Sequence, residues 1–452
     1  MFRYFSSHTA FLGMIGSLAM CFVIGYLYAL VAIAILIVLV IGLHMRSFES
    51  SWGSISQALI FHQVRKYLLL LDIRKNHIKF WRPQMLLMVS NPRGSCQMID
   101  FVNDLKKSGL YVIGHVETGD LDAEDSDPIQ TEFPKWLSLI DHLKVKAFAE
   151  LTLARSIREG MHHLIRVSGI GGMKPNTICF GFYDKTTPQD TFTNQNPNSS
   201  ALLSSQSRHP MQFHNSVSES NRQTELYQSF ASLRQDGNEK QFTLEEYVHM
   251  IRDTLKLNKN VCLCRHFHRL NKETVFASAA RKKVFIDVWP VNFFHPESTV
   301  HFDNTCLFML QLACILHMVP GWKRKSVLRV FMCIEREEAY AKEKSMLAFL
   351  RLLRIRGEIK IVSLETIVDR VQSSGQGGTL PSGLPTDVYI KEINEMIQSH
   401  CSKTAVVFLY LPKPPTDLGL HSSYHQQLEQ MTDSLPPTVL VHGLHPVTST
   451  TL

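Results

Sequence analysis

The chain begins with a long apolar stretch. No charged residue occurs in "TAFLGMIGSLAMCFVIGYLYALVAIAILIVLVIGL", residues 9–43. These roughly 35 residues would extend about 50 Å as one helix, whereas a bilayer core of about 30 Å needs about 20 residues. We therefore predict a membrane segment over residues 1–45, either one span or two short helices in a hairpin broken near Gly25. Arg3 before the stretch and Arg46 after it place both ends in the cytosol, as a hairpin requires.

A second helical pattern follows the membrane segment. Ile55, Leu59, Val64 and Leu68 recur at helical spacing. We predict an amphipathic connecting helix within residues 46–84 that lies on lipid headgroups or packs against a partner subunit.

Short apolar runs alternate with helical patterns through the rest of the chain. Runs such as "QMLLMVS", "LYVIGHV", "TICFGFY", "VFIDVW" and "TAVVFLYL" predict strands, and the segments between most of them predict helices. This order predicts an α/β fold with mostly parallel sheets and helices on both faces. We expect two halves, residues 85–184 and 243–452, that are similar in pattern but show no clear sequence repeat.

The residues between the two halves differ in composition. Residues 185–242 are rich in Ser, Asn, Gln and Thr and poor in apolar side chains. Such a segment buries too little apolar surface to offset the entropy of ordering. We predict a disordered polar insertion.

Composition narrows the possible classes of function. The net charge is +7, but no run of Arg and Lys with interleaved aromatic residues occurs, so we expect no nucleic-acid partner. The nine cysteines are odd in number and lie mostly in apolar segments. They predict free, buried thiols in a reducing compartment.

The most suggestive motif is "SGIGGMKPNT", residues 168–177. A P-loop requires Ser or Thr directly after its lysine, but here Pro175 follows Lys174. A dinucleotide-binding loop places its glycines between a strand and a helix, whereas these follow a helix and precede a strand. We therefore predict a structural turn with Gly169 as the left-handed residue after the helix. If a nucleotide binds, Lys174 and Asn176 are the candidate contacts.

Two further groups of side chains invite a chemical interpretation. Cys262, Cys264, His266 and His268 alternate in "CLCRHFH" and would share one face of a strand. Ligands along one straight strand cannot surround a tetrahedral ion, so we expect no metal site. Asp287 in "IDVWP" has no visible His or nucleophile partner, and neither Gly-x-Ser-x-Gly nor His-Glu-x-x-His occurs. We expect no enzymatic activity and no cofactor.

Several stretches together resemble the C-terminal part of the cation-chloride cotransporters, solute carrier family 12. In order along the chain they are "FRYFSSHTAFLG", "WGSISQAL", "WRPQMLLMV", "KKSGLYVIGHVETGDL", "VKAFAELTLARSIREGMHHLIRVSGIGGMKPNT", "IDVW" and "VLRVFMCIE".

The resemblance implies the last two membrane helices of such a transporter, followed by a cytosolic α/β domain with two related halves. In this family that domain mediates dimerisation and regulation of chloride-coupled cation symport, with potassium among the cations. Ion sites of transporters lie in discontinuous helices at the bilayer midplane, which the resemblance places earlier in the family. We therefore expect a regulatory part that does not transport ions by itself.

The same resemblance implies a location and partners. We expect an integral protein of the plasma membrane or the endolysosomal membrane, in contact with membrane lipid. We expect a homodimer, and association with other cation-chloride cotransporters as their modulator. The α/β pattern also permits an alternative, a membrane-tethered sensor that binds a nucleotide or another small ligand, for which the glycine motif is the specific support.

Overall fold

The computed structural model describes the chain in two units. The described residues are 7–45, 55–71, 82–107, 109–184, 187–190, 229–234, 240–277, 283–295, 303–333, 339–363 and 385–447. The two units are Met1–Leu71 and Asp72–Leu452.

The first helix of the N-terminal unit carries the predicted membrane segment. Helix α1 (Ser7–Met45) is interrupted at Gly25, whose backbone is extended at φ −176° and ψ 103°. This is the position predicted for a break, and each part is about 18–20 residues long, close to the thickness of a bilayer core. Thr9–Gly42 is long and apolar enough to cross a membrane, with a mean hydropathy of 2.9. The hairpin arrangement stays a prediction.

The second helix of this unit, α2 (Ile55–Leu70), confirms the predicted connecting helix but not its amphipathic character. Its exposed apolar side chains include the consecutive positions Leu59, Ile60 and Phe61, and then Leu69 and Leu70. Neighbouring positions on a helix point about 100° apart. The apolar surface is therefore not confined to one stripe.

The second unit is built on one sheet of ten strands. They are β1 (Met85–Met88), β2 (Tyr111–Thr118), β3 (Phe148–Ala154), β4 (Thr177–Gly181), β5 (Asn260–Arg265), β6 (Val284–Trp289), β7 (Ser326–Cys333), β8 (Glu358–Val362), β9 (Thr404–Tyr410) and β10 (Thr438–His442). Their order across the sheet is β3-β2-β1-β4-β5-β10-β9-β6-β7-β8.

Helices connect most of these strands. They are α3 (Cys96–Leu105), α4 (Pro128–His142), α5 (Ile157–Val167), α6 (Leu244–Lys256), α7 (Lys272–Ala277), α8 (Asn304–Met318), α9 (Pro320–Lys325), α10 (Ala339–Leu352), α11 (Asp387–His400) and α12 (His421–Met431).

The sheet repeats one topology twice. β1 to β5 are parallel and lie in the order 3-2-1-4-5, and β6 to β10 are parallel in the equivalent order. The two halves join antiparallel between β5 and β10, where Leu263 pairs with Leu440. The predicted α/β fold with mostly parallel strands is confirmed.

The sheet divides later in the chain than predicted. We placed residues 243–452 in the second half, but β5 pairs with β4 in parallel, with Cys179 opposite Cys262. The first half therefore takes its fifth strand, and helix α6 before it, from beyond the insertion. Composition identifies the insertion, but it does not indicate which half of the sheet the chain joins after the insertion.

The core lies on both faces of the sheet. One face packs α3, α4 and α8 against the strands, and the other packs α5, α6, α11 and α12. Trp136, Trp289 and Trp322 are among the largest fully buried side chains. Because helices cover both faces of the sheet, the side chains on both faces of most strands are buried. The strand sequences are therefore nearly continuous apolar runs.

The two ends of the insertion are ordered against the first half. Phe230 is buried with its ring 5.7 Å from that of Trp136, edge to face. The prediction of disorder over residues 185–242 is therefore wrong for 187–190 and 229–234. Residues 191–228 lie outside the described residues.

Candidate functional site

The strand order points to two places where a ligand would bind. Open α/β sheets bind ligands beyond the carboxyl ends of the strands, where the strand order reverses. In this sheet the reversals lie between β1 and β4 and between β6 and β9. We call these the first crevice and the second crevice.

An arginine from the loop after β1 forms an ion pair at the first crevice. The Arg93 guanidinium donates from Nε and Nη2 to one carboxylate oxygen of Asp190, at 3.0 and 2.7 Å. Both side chains are about four-fifths buried. In the same loop the Asn91 side chain caps the turn at Pro92–Gly94 and donates to the Ala231 carbonyl at 2.9 Å.

Both described ends of the insertion therefore reach the first crevice. A Cβ added to Gly94 would lie 3.3 Å from Pro188 and 3.5 Å from Leu233, so glycine lets both segments approach the loop. Residues 187–190 and 229–234 occupy the space beside the β1–α3 loop. The chain itself thus covers the position where a ligand of this fold would enter.

The second crevice is filled from within its own elements. Tyr410 is the last residue of β9, and its hydroxyl donates to Asp303 at 2.6 Å. Asp303 also caps helix α8 by accepting from the Cys306 amide. Burial raises the pKa of Tyr410, and the bond to Asp303 adds to the shift. Phe308 packs so closely on Gly443 that a Cβ there would lie 2.5 Å from it.

Asp287, the strand carboxylate singled out in the sequence, is a structural ion pair. Its two oxygens accept from Nε and Nη2 of Arg329 at 2.7 Å each, and Thr404 donates to it at 2.6 Å. The Asp287 side chain is fully buried. The guanidinium stacks on Phe285 at 3.8 Å. Burial raises the pKa of Asp287, while these partners oppose the shift. With its oxygens engaged by these donors, this carboxylate is not placed to act on a substrate.

The glycine motif is a turn, as predicted. Helix α5 ends at Val167, and Gly169 follows at φ +84°. A Cβ on Gly169 would lie 2.1 Å from the Met173 carbonyl oxygen. Ile170 and Met173 form two backbone hydrogen bonds with each other, so Gly171 and Gly172 are the two turn residues. The φ of Gly171 is +59°. The motif thus forms a two-residue hairpin between α5 and β4.

Lys174 and Asn176 lie just before the amino end of β4, at the opposite edge of the sheet from the first crevice. Asn176 is engaged in structure: its side-chain oxygen accepts from the Gln84 amide at 3.0 Å, and its amide nitrogen donates to the Arg82 carbonyl at 2.8 Å. It fastens the start of β4 to the start of β1. Lys174 is exposed. The two candidate residues thus lie at the edge opposite the one where open α/β sheets bind their ligands. Their contact with a nucleotide stays a prediction.

The alternation of cysteine and histidine side chains ends where β5 ends. Cys262 and Cys264 are buried on one face of β5, as predicted, with Cys179 beside them. His266 then turns the chain with φ +61°, so the alternation ends there. No group of three metal-ligating side chains occurs in the part of the chain that the structure describes.

Sequence reasoning missed the pairs that close the two crevices. Arg93 stands in "SNPRGS", directly between β1 and α3, which is a position where α/β folds place ligand contacts. That signal was available. Its partner Asp190 lies 97 residues away in a polar segment, and nothing local indicates the pairing.

The chain is similar to members of solute carrier family 12. Residues 95–193 match the sequence model of solute carrier family 12. Solute carrier family 12 member 9 of Xenopus laevis is 45% identical over 100% of this chain and 50% of its own length. Vacuolar cation-chloride cotransporter 1 of Saccharomyces cerevisiae is 33% identical over 80% of this chain and 32% of its own.

The chain spans about half the length of the member 9 relatives it matches. Among solved structures, the cytoplasmic domain of a prokaryotic cation chloride cotransporter aligns with 82% of this chain and 98% of its own, at 13% identity and a TM-score of 0.41.

Proposed function

Since the chain belongs to solute carrier family 12, the cation-chloride cotransporters, we propose that it forms the regulatory and dimerising half of such a transporter. In this proposal the apolar helix α1 anchors it in a membrane and the α/β unit lies in the cytosol. The unit sets the rate of chloride-coupled cation symport, with potassium as one cation, without itself containing the ion path.

One observation carries this proposal. The chain aligns over its full length with half of each member 9 relative, and most of that half is an α/β unit whose two crevices are filled by the chain itself. A unit whose crevices are filled is better suited to transmit conformational changes than to bind and convert a substrate. Its ten strands are joined by hydrogen bonds across both halves, and rigid secondary elements are one carrier of coupling between distant sites.

Cation uptake in cells tests the proposal. The chain would be expressed alone, and together with a full-length cotransporter of the family, and chloride-dependent uptake would be measured in both. We expect no uptake above background from the chain alone, because the described residues contain one helix long enough to span a membrane. We expect uptake through the full-length partner to fall when the chain is present, because the chain competes for its dimer contacts.

The control must separate association from changes in abundance. Surface labelling of the full-length partner should show the same amount with and without the chain. Uptake from the chain alone, or unchanged partner uptake despite co-purification, would contradict the proposal. Imaging of the same cells tests the location of the chain, which we expect in the plasma membrane or the endolysosomal membrane. Light scattering of the solubilised chain should give the mass of a dimer.

The sensor function is the alternative that a different measurement decides. Lys174 and Asn176 would bind a nucleotide in that case, but Asn176 already uses both side-chain polar atoms within the fold. Calorimetric titration of the solubilised chain with ATP at millimolar concentration should give no binding heat. A saturating heat that Lys174→Ala abolishes would favour the sensor.

A further inference from the structure

The amino ends of the first five strands share one edge of the sheet, because these strands are parallel to one another. The segments that lead into them, including the ends of the preceding helices, are 82–84, 103–110, 141–147, 166–176 and 256–259. Together these segments contain nine cations and two acids. We call the nine cations the basic rim: Arg82, Lys106, Lys107, Lys144, Lys146, Arg166, Lys174, Lys256 and Lys259.

The five segments that carry the basic rim contain only two acids, Asp104 and Asp141. Of its two acids, Asp104 is already engaged by Lys272 at 2.6 Å and by the Trp322 ring nitrogen at 2.8 Å. The carboxyl ends of the second half's strands meet the same edge, since β10 is antiparallel to β5. There Lys413 adds an exposed cation, and Asp303 is bonded to Tyr410.

Like charges in the rim repel one another in the folded state. Burial, and then the nearby Lys146, lowers the pKa of Lys106 to about 8. Burial also lowers the pKa of Lys259, with Lys174 as the second cause. Like charges placed together destabilise a fold unless an opposite charge meets them. The rim therefore fits an anionic partner.

An apolar tip stands within the rim. The hairpin of the glycine motif exposes Val167, Ile170 and Met173 at 75%, 68% and 42% of their surface. Arg166 and Lys174 flank them, both exposed. The two backbone hydrogen bonds between Ile170 and Met173 hold this tip in a fixed shape. Apolar side chains bordered by cations are the surface that binds the headgroup region of anionic membranes.

Charge alone does not single out this edge. The amino ends of the second half's strands, at the opposite edge, also carry exposed cations such as Arg354, Arg356 and Lys403, and Leu352 is exposed beside them. Among the described residues, only the first half's edge joins its cations to three exposed apolar side chains on a hairpin. The chain also enters the α/β unit at this edge, through Arg82 and Gln84 before β1.

We propose that the basic rim and the hairpin tip at residues 167–173 form a docking surface for an anionic lipid bilayer. Lysines and arginines of the rim contact the lipid phosphates and carboxylates, and Ile170 and Met173 insert between the headgroups. The glycines of the motif then have a function beyond the turn, because Gly169 and Gly171 give the backbone that projects this tip.

Hydrogen–deuterium exchange on the full chain tests the docking surface. The chain would be reconstituted in nanodiscs of phosphatidylcholine alone and of phosphatidylcholine with phosphatidylserine. We expect amides in residues 168–174 to exchange about tenfold more slowly on the anionic discs, since each surface cation near such a membrane contributes on the order of a fivefold affinity gain. High salt should remove the difference, because it screens exposed charges.

Matched charge reversals sharpen the test. Lys146→Glu with Lys174→Glu should abolish the difference between the two discs. Lys344→Glu with Arg356→Glu changes the net charge equally in the second half and should leave the difference intact. If the charge reversals in the rim lower the melting temperature, the same test would use Lys146→Gln with Lys174→Gln, which removes the two charges without reversing them.

Three results would overturn the proposal. Equal exchange on both discs would show that the tip does not meet anionic lipid. Protection that persists after the rim reversals, or that rises with protein concentration, would identify a protein surface or a second copy as the occupant. Loss of protection in the second-half variant would place the contact at the opposite edge.

Discussion

The two halves of the sheet share a strand order but differ in how their crevices are closed. In the first half the chain closes the crevice with segments from either side of the insertion, fastened by Arg93 and Asp190. In the second half Tyr410 and Asp303 close it from within the adjacent strand and helix cap. The first closure depends on a contact between distant segments, and the second is part of the half itself.

The interiors of the halves differ as well. The first strand of the second half carries Asp287, which is fully buried and paired with Arg329. Its counterpart β1 is "MLLM" and carries no charge. The shared topology therefore does not require a charge on this strand, because β1 takes the equivalent place in the first half with apolar side chains alone. The second half is the one that a single charge change should destabilise most.

The largest expected effect is on that ion pair. Asp287→Asn removes the charge that balances Arg329 in the interior, and breaking a buried pair from one side costs about 3–5 kcal/mol. We expect the free energy of unfolding to fall by about that amount, measured by denaturant unfolding of the solubilised chain. The exposed pair of Arg155 with Asp120 provides the control, since Asp120→Asn should cost at most about 1 kcal/mol. Equal effects of the two changes would refute the distinction.

The next effect belongs to the first half. Gly169→Ala places a Cβ about 2.1 Å from the Met173 carbonyl oxygen at a φ of +84°. Strain of this kind costs about 1–3 kcal/mol, so thermal melting should occur at lower temperature. Gly181→Ala is the matched change in the next strand, where the nearest atom lies at 3.9 Å, and it should be close to neutral. A neutral Gly169→Ala would mean that the hairpin is not held as described.

The crevice closures can be compared directly. Arg93→Ala removes a charged, largely buried contact worth about 1–3 kcal/mol. Hydrogen exchange should then speed up in residues 187–190 and 229–234, with the rest of the sheet unchanged. Tyr410→Phe removes the corresponding bond in the second half, and there we expect no local opening because the surrounding packing remains. Faster local hydrogen exchange in both variants would mean that the two crevices do not differ in how they are closed.

The smallest expected effect is a dependence on pH. Burial, and then the neighbouring Arg265 and Arg269, lowers the pKa of His266 to about 4. Because the unfolded histidine takes up its proton near pH 6.5, stability is unaffected above that pH and falls as the pH drops from 6.5 towards 4. His266 is partly exposed, so we expect the change to be about 1 kcal/mol.

His266→Asn tests this dependence, since asparagine tolerates the left-handed backbone at this position. Melting temperatures at pH 7 and pH 5 should differ less for the variant than for the original chain. His163→Asn, at an exposed position on α5, should leave the difference unchanged. A variant with the same pH dependence as the original would assign the effect to other histidines.

Much of this fold could be predicted from local patterns. The helix at Asn304–Met318 and the strand at Val284–Trp289 have the bounds that their apolar runs indicate. Pro134 interrupts the apolar pattern of helix α4, although Asp127 followed by Pro128 is a common helix start. The Asp127 side chain does accept from the Ile129 amide at 3.0 Å.

The features that were missed depend on contacts between distant residues. The antiparallel joint of β5 with β10 pairs residues far apart in sequence, and its direction is not encoded in either strand. The partner of Asp287 lies 42 residues away, on a strand that reads as apolar. Side-chain type and spacing located the glycine turn, whose geometry is local, but they could not show which surfaces the insertion covers.

Chloride-dependent uptake through a full-length cotransporter is the most direct measurement of the central claim, that this half regulates transport through its folded α/β unit. The partner would be expressed alone, with the original chain, and with the Asp287→Asn chain at equal surface amounts. We expect reduced uptake with the original chain and recovery with the destabilised variant. Equal uptake in all three would contradict the claim, and so would equal reduction by both chains when the variant is shown to be unfolded.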